Sequence, residues 1–363
     1  MTKRIIIAGG GTGGHIFPAI AIANALKKLE PATEILFVGA KGKMEMEKIP
    51  LAGYRIIGLD IAGFNRSSLI RNIGLPFKLI GSLIQVRKIF NSFKPSAVIG
   101  VGGYSSFPVL RFAQTRKIPS FIHESNSFAG KSNMLLGKRA TRIFVANEGM
   151  EKFFPAEKIM ITGNPVRANL TDSKITRAEG IKFFGLDPAL KTVLSVGGSL
   201  GARNINEALD KDLDEFEKNH LQLIWQTGKP YAGRAGERVT GKRHICVFDF
   251  IAQMEYAYAA ADLVISRSGA MAIAELCVMR KPTVFVPFPY AAEDHQTVNA
   301  QSLVNKNAGI MLKDSETLDK LVPAIIELSK NEHKQNTLRE NIGHLSKTNA
   351  DKDIAREILN KIS

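Results

Sequence analysis

The sequence predicts an α/β protein of two Rossmann-like, doubly wound parallel-sheet domains facing each other across a cleft. Three observations carry that expectation. Short, continuously apolar segments alternate with helix-like runs, the pattern of parallel strands buried on both faces. A strand–glycine loop–helix unit occurs once in each half of the chain. The length, 363 residues, suits two domains of roughly 150 residues each.

The first unit opens with the apolar strand Arg4-Ile5-Ile6-Ile7-Ala8. The glycine loop 9–14 and a helix-like run from Pro18 to Leu26 follow it. The second unit repeats the order: a strand at 192–196, a loop at 197–202 and a helix start at 204–209. Further strands are expected at 34–38, 97–101, 120–123, 142–146, 221–226, 263–266 and 283–286. Gly163-Asn164-Pro165 punctuates the chain, so the expected domains are 1–163 and 164–345. Residues 346–363 form a terminal helix with Ile354, Ile358 and Leu359 on one face, expected to pack back on the N-terminal domain.

Composition narrows the class. Apolar residues at 45% and charged residues at 23% exclude a mainly disordered, collagen-like or coiled-coil chain. Two cysteines, Cys246 and Cys277, are too few for a disulfide scaffold or a cysteine zinc site, and suit a reducing compartment. The apolar core of the opening strand is too short for a signal peptide, and the apolar stretch from Leu69 to Val86 is interrupted by Arg71 and Lys78. Of the net charge of +15, +14 falls within residues 1–163. That half should face something anionic: nucleic acid, an acidic lipid surface or an acidic substrate.

Gly9-Gly10-Gly11-Thr12-Gly13-Gly14 contains G-x-G-x-x-G, which lets backbone approach a phosphate at a helix N-terminus. A nicotinamide site would also need an acid at the end of the second strand to hold a ribose. That strand ends Val38-Gly39-Ala40-Lys41, so a dehydrogenase is rejected. Two further glycine loops, Gly102-Gly103-Tyr104-Ser105-Ser106 and Gly197-Gly198-Ser199, also follow strands and precede helices. In open parallel sheets, loops at strand C-termini line the ligand crevice.

Taken in order, several segments resemble the MurG family of peptidoglycan N-acetylglucosaminyltransferases. They are the glycine loop with His15-Ile16-Phe17-Pro18; Gly102-Gly103-Tyr104-Ser105; His123-Glu124-Ser125-Asn126; Gly163-Asn164-Pro165-Val166-Arg167; Gly197-Gly198-Ser199-Leu200-Gly201-Ala202; Gln226-Thr227-Gly228-Lys229; Ser266-Arg267-Ser268-Gly269-Ala270; and Asp294-His295-Gln296. The resemblance runs from about Lys3 to Ala300 and more loosely to the end. It implies a two-domain GT-B fold and an inverting transfer of N-acetylglucosamine from UDP-N-acetylglucosamine to lipid I. It also implies peripheral residence on the cytoplasmic face of the bacterial inner membrane and, as further partners, cell-division and cell-wall synthesis proteins.

The resemblance places donor contacts at Thr12, Gly13, Gly14, Asn126, Arg167, Ser199, Ile251, Ala270, Met271, Ala272, Ile273, Ala274, Glu275 and Gln296. The residue chemistry suits them. The Glu275 carboxylate can accept both ribose hydroxyls, and backbone amides at the helix start near Ala270 can meet a diphosphate. Ser199 adds a hydroxyl and Arg167 a guanidinium. Phe250 and Ile251 can flank a uracil, with a backbone group of Ile251 reading its edge, and the Gln296 amide can pair with sugar hydroxyls. The family often has Thr where Ala272 stands and Gln where Ser125 and Leu200 stand.

The reaction needs a base and stabilisation of the leaving diphosphate. His15 is the preferred base, because imidazole exchanges protons near neutrality; Glu124 is second and His123 third. No clustered Asp/Glu metal triad is present, so no metal or other cofactor is expected. The acceptor head should meet Gly102, Gly103, Tyr104 and Ser105. The amphipathic basic stretch 64–90, with Arg71, Leu75, Lys78, Leu79 and Ile80, should rest on an anionic membrane surface. A UDP-N-acetylglucosamine 2-epimerase, or another GT-B enzyme acting on a glycolipid, would keep the fold and change the chemistry. With aromatics at only 7% and no recognition motif, no nucleic-acid partner is expected.

Overall fold

The computed structural model describes residues 2–62, 75–198, 200–291 and 294–362, without the side chains of residues 75–77. The chain divides into two units, Met1–Arg167 with Asn349–Ser363, and Ala168–Thr348. The division falls past the Gly163-Asn164-Pro165 turn expected to mark it, and Arg167 belongs to the first unit. A contact explains this: the Arg167 guanidinium lies over the Phe17 ring of the first unit, 4.8 Å from its centroid.

The first unit holds a parallel sheet of seven strands: β1 (Arg4–Ala8), β2 (Glu34–Ala40), β3 (Arg55–Leu59), β4 (Ala97–Gly100), β5 (Ser120–Glu124), β6 (Arg142–Val145) and β7 (Ile159–Ile161). Their spatial order is β3-β2-β1-β4-β5-β6-β7. Alternate residues of each strand enter opposite cores, which is why the strands read as unbroken apolar runs. Ile5, Ile7, Phe37, Ile99 and Phe121 pack under the Gly13–Leu29 helix. Ile6, Leu36, Val38, Val98 and Ile122 pack on the other face, against residues such as Val86, Phe90, Val109 and Leu110.

The terminal helix, Ala350–Lys361, lies in this first unit and inserts Ile354, Ala355, Ile358 and Leu359 into the Gly13–Leu29 side of the core. An ion pair, Arg142 Nε to Glu357 Oε1 at 2.8 Å, fastens it to β6. The Gly13–Leu29 helix begins before Pro18, where the sequence suggested its start. One proline in its second turn forfeits a single backbone donor, and five of the seven residues from Pro18 through Asn24 are buried.

The second unit holds six parallel strands: β8 (Lys191–Val196), β9 (Leu221–Gln226), β10 (Ile245–Phe248), β11 (Leu263–Ser266), β12 (Thr283–Phe285) and β13 (Ile310–Met311). Their order, β10-β9-β8-β11-β12-β13, repeats the plan of the first sheet. Its core joins Val193, Leu223, Trp225, Leu263 and Ile265 to Ile205 and Leu209 of the Arg203–Lys211 helix and Leu321 and Ile325 of the Thr317–Lys330 helix. Strand order reverses beside β1 and β4 in one sheet and beside β8 and β11 in the other. At those points neighbouring helices leave on opposite faces and a crevice opens at the strand C-termini. The loops beginning at Gly9, Gly102, Gly197 and Arg267 leave from those ends.

Candidate functional site

In the first unit, two glycine loops are bound to each other. The Gly10 amide donates to the Gly102 carbonyl at 3.3 Å, and Gly9 to the Val38 carbonyl at 3.1 Å. His15 stands in the first helical turn, with its ring against Gly102. A side chain at Gly102 would place Cβ 2.6 Å from His15 Nε2, and φ is +99° there, so only glycine fits. His15 Nδ1 lies 2.9 Å from the Gly10 carbonyl oxygen. A carbonyl can only accept, so Nδ1 carries the proton and Nε2 of the neutral ring holds the lone pair.

The other two base candidates are differently placed. Glu124 is buried, and its carboxylate is committed. Oε1 accepts from the Asn126 amide at 3.1 Å and from Asn126 Nδ2 at 3.4 Å. Oε2 accepts from the Gly130 amide at 3.0 Å and from Asn133 Nδ2 at 2.9 Å. These bonds shape the 124–133 loop and occupy the lone pairs a base would use. His123 is fully enclosed; burial, only partly offset by a backbone hydrogen bond with Gly163, pushes its imidazole down to about 4. It therefore stays neutral and weakly basic at ordinary pH.

Thr12 is exposed as the N-cap of the Gly13–Leu29 helix, with no side-chain cap bond, and Gly13 and Gly14 form its first turn. Gly103, Tyr104 and Ser105 lead into the Ser106–Thr115 helix, and Ser106 Oγ donates to the Gly103 carbonyl at 2.7 Å. Asn126 is half-buried beside Glu124. Glu45, which the sequence reading passed over, is buried between the first glycine loop and the end of β2. Its Oε2 accepts from the Gly11 amide at 2.8 Å and its Oε1 from the Ala40 amide at 3.0 Å.

On the Leu75–Phe93 helix, Lys78 and Ile80 are exposed and Leu79 is half-buried. Ile80, Leu83, Ile84 and Arg87 line an apolar groove with Arg111, Phe112 and Thr115 of the next helix. Arg71 lies outside the described residues, and Leu75 is described in its backbone only.

In the second unit, the Ala270–Val278 helix starts after the three-residue loop Arg267-Ser268-Gly269 that follows β11. Its N-cap is Gly269, which brings no side chain to the first-turn amides of residues such as Met271 and Ala272. Ile273 donates back to the Gly269 carbonyl at 3.0 Å, and Ala274 completes the turn. Glu275, about a turn and a half from the helix start, is buried and accepts a 3.1 Å bond from the Tyr258 hydroxyl. Arg267 braces the loop from behind: it pairs with Asp314 and donates to the Val286 and Pro287 carbonyls, each at 3.1 Å.

Gln226 ties the second unit's glycine loop to one expected contact, Ile251. Its Nε2 donates to the Gly198 carbonyl at 3.0 Å and its Oε1 accepts from the Ile251 amide at 3.2 Å. The Ile251 amide is thus engaged, leaving its carbonyl as the backbone group for an edge contact. Gln296 Oε1 accepts from the Phe288 amide at 3.0 Å, so its NH2 is the end suited to a sugar oxygen. Ser268 Oγ donates to the Gln296 carbonyl at 2.8 Å, fixing that residue beside the Ala270 helix start. Ser199 lies outside the described residues. Glu45, Tyr258, Gln226 and Asp314 were not singled out as contacts, because buried polar partners carry no spacing signal in sequence. Among the described residues, no group of three or more His, Cys, Asp or Glu could hold a metal ion.

The glycosyltransferase family 28 N-terminal domain matches residues 5–145 and the family 28 C-terminal domain residues 192–358. A curated relative from Phocaeicola vulgatus, the UDP-N-acetylglucosamine–N-acetylmuramyl-(pentapeptide) pyrophosphoryl-undecaprenol N-acetylglucosamine transferase, is 51% identical over 98% of this chain and 95% of its own. The crystal structure of Acinetobacter baumannii MurG superposes with a TM-score of 0.78 at 28% identity, covering 99% of both chains. A putative UDP-N-acetylglucosamine 2-epimerase from Listeria monocytogenes has a TM-score of 0.71 at 14% identity, covering 100% of this chain and 97% of its own, a likeness of fold alone. Two matched family domains and half the residues shared with a full-length relative establish that the chain belongs to the MurG family within glycosyltransferase family 28.

Proposed function

We propose that the chain transfers N-acetylglucosamine from UDP-N-acetylglucosamine to the 4-hydroxyl of the N-acetylmuramyl unit of undecaprenyl-pyrophosphoryl-MurNAc-pentapeptide, converting lipid I to lipid II with inversion. The observation that carries this reading is the strand-order reversal of the second sheet. There a helix start capped by Gly269 stands about a turn and a half from the buried carboxylate of Glu275, in a chain 51% identical to a transferase of that name.

In this reading the second unit holds the nucleotide sugar. Amides near Ala270 and Met271 meet the diphosphate, Glu275 takes the ribose hydroxyls, the Ile251 carbonyl meets the uracil edge, and the Gln296 NH2 meets the sugar. The first unit supplies the acceptor loop, Gly102 to Ser105, and the base. Nε2 of His15 takes the proton of the 4-hydroxyl as that oxygen bonds to C1 of the donor sugar. The bond from C1 to the diphosphate breaks, its electron pair goes to the phosphate oxygen, and UDP departs from the opposite face. Helix-terminal amides and Arg167 offset the developing charge. Glu124 shapes the loop that carries Asn126.

Among the described residues, no helix is long and apolar enough to cross a membrane. The groove beside Ile80 and Ile84, exposed at 58% and 56% and flanked by Arg87 and Arg111, suits a peripheral dock on anionic lipid at the cytoplasmic membrane face.

The test is transfer of radiolabel from UDP-N-acetylglucosamine to a short-chain lipid I analogue. Labelled disaccharide lipid is expected, and Glu275→Gln should raise the donor KM more than it lowers kcat. Release of an epimer from UDP-N-acetylglucosamine alone, with no labelled lipid, would overturn the reading. Sedimentation with phosphatidylglycerol vesicles at low salt should be weakened by Ile80→Glu; an unchanged bound fraction would remove the dock.

A further inference from the structure

We propose that Glu45 is a positioning residue for His15, acting through the single peptide group that joins Gly10 to Gly11. The inference rests on the reading of His15 as the base. That one peptide presents its N–H to Glu45 Oε2 at 2.8 Å and its carbonyl oxygen to His15 Nδ1 at 2.9 Å. The order is carboxylate, amide, imidazole: the orienting carboxylate of a triad, with a peptide interposed.

Three features separate this arrangement from an ordinary loop brace. First, both carboxylate oxygens accept from backbone amides, the second from Ala40 at 3.0 Å. This double acceptance calls for the ionised form, because a protonated or amide side chain would turn a donor toward one of the two N–H groups. Second, the charge is 1% exposed, and an ion is expensive to enclose when a smaller neutral side chain could brace a loop. Third, the backbone is cut to admit it. A Cβ at Gly10 would lie 2.2 Å from Glu45 Cδ, and one at Gly39 would lie 2.6 Å from Glu45 Cγ.

The consequence is electrostatic and geometric. A negative charge on the N–H side of a peptide polarises it and strengthens its carbonyl as an acceptor. The stronger acceptor holds the proton on His15 Nδ1 and fixes the ring plane, which leaves the lone pair on Nε2. The Tyr104 phenol of the acceptor loop is pushed up mainly by burial and, next, by the nearby Glu45.

The test reads the imidazole directly. In uniformly ¹⁵N-labelled full-length protein at alkaline pH, two-bond ¹H–¹⁵N correlation identifies which ring nitrogen of His15 carries the proton, with His15→Gln giving the assignment. The wild type is expected in the Nδ1–H form, and Glu45→Gln should move the ring toward the commoner Nε2–H form. A wild-type ring already protonated on Nε2 overturns the proposal, and this measurement needs no variant of Glu45 to fold. The second readout is a double-mutant cycle on kcat. Glu45→Gln should lower kcat about tenfold or more with the donor KM unchanged, and cost nothing further in a His15→Gln background. If the two losses multiply instead, Glu45 acts by another route and the proposal fails. If His15→Gln alone keeps wild-type kcat, it is the base assignment that fails, while the tautomer still decides whether Glu45 controls the ring.

Discussion

Removing the titratable ring of His123 should flatten the acid dependence of stability in the first unit. His123 lies on β5 with its side chain enclosed, and burial holds its imidazole at about 4 against the usual 6.5. Between those values the unfolded chain binds a proton that the folded protein refuses. Stability is therefore complete above about pH 6.5 and falls as the pH drops toward 4. Moving a proton affinity from 6.5 to about 4 corresponds to about 3 kcal/mol lost at the lower limit. His123→Gln removes that contribution and leaves the carboxylates untouched. The assay is urea unfolding at a series of pH values between 4 and 7. Far-UV circular dichroism follows both units. Trp225, the sole tryptophan, lies in the second unit, so its fluorescence serves as the internal control. The wild-type stability should fall with pH about one proton's worth more steeply than the variant's. Parallel curves for wild type and variant, or an NMR titration of His123 near the ordinary imidazole value, would refute the reasoning.

Two further outcomes follow from buried contacts. Asp314→Ala leaves the Arg267 guanidinium, 11% exposed, without its carboxylate and should cost about 3–5 kcal/mol in the second unit. A Trp225 fluorescence melt unchanged from wild type would show that the pair does not brace the loop before Ala270. Ile358→Ala empties a fully buried site where the terminal helix meets the Gly13–Leu29 helix, and should destabilise the first unit by about 2–5 kcal/mol. A loss below about 1 kcal/mol by denaturant unfolding would mean that the terminal helix adds little to that core.

The sequence by itself determined the class of fold, because strands buried on both faces of a parallel sheet must be apolar at consecutive positions. Ile5-Ile6-Ile7 and Leu263-Val264-Ile265 display that directly. It also determined the glycine loops at the strand ends, because glycine is the residue that allows a sharp turn and close backbone approach, as at Gly102 beside the His15 ring. Short strands such as β3, β7, β10 and β13 escaped notice. Two to five residues, with mixed burial as in Arg55–Leu59, leave no clear period. Arg167 read as part of the second half because sequence marks the nearest Gly-Pro turn, whereas the ring of Phe17 decides where the guanidinium goes.

The differences in environment among the three base candidates come from tertiary structure alone. His15, Glu124 and His123 are all plausible by residue type. Hydrogen-bond partners far off in sequence separate them: four donors claim the Glu124 carboxylate, burial disarms His123, and the Gly10 carbonyl leaves a lone pair on His15 Nε2. Glu45 gave no sign of itself in the sequence, since one acid on a short helix reads as a solvated surface residue. Only folding brings it beneath Gly11, because residues 34 positions apart meet when β1 and β2 pair side by side. Periodicity and turn chemistry are local and can be read along the chain; the protonation state of a site depends on which distant groups the fold encloses with it.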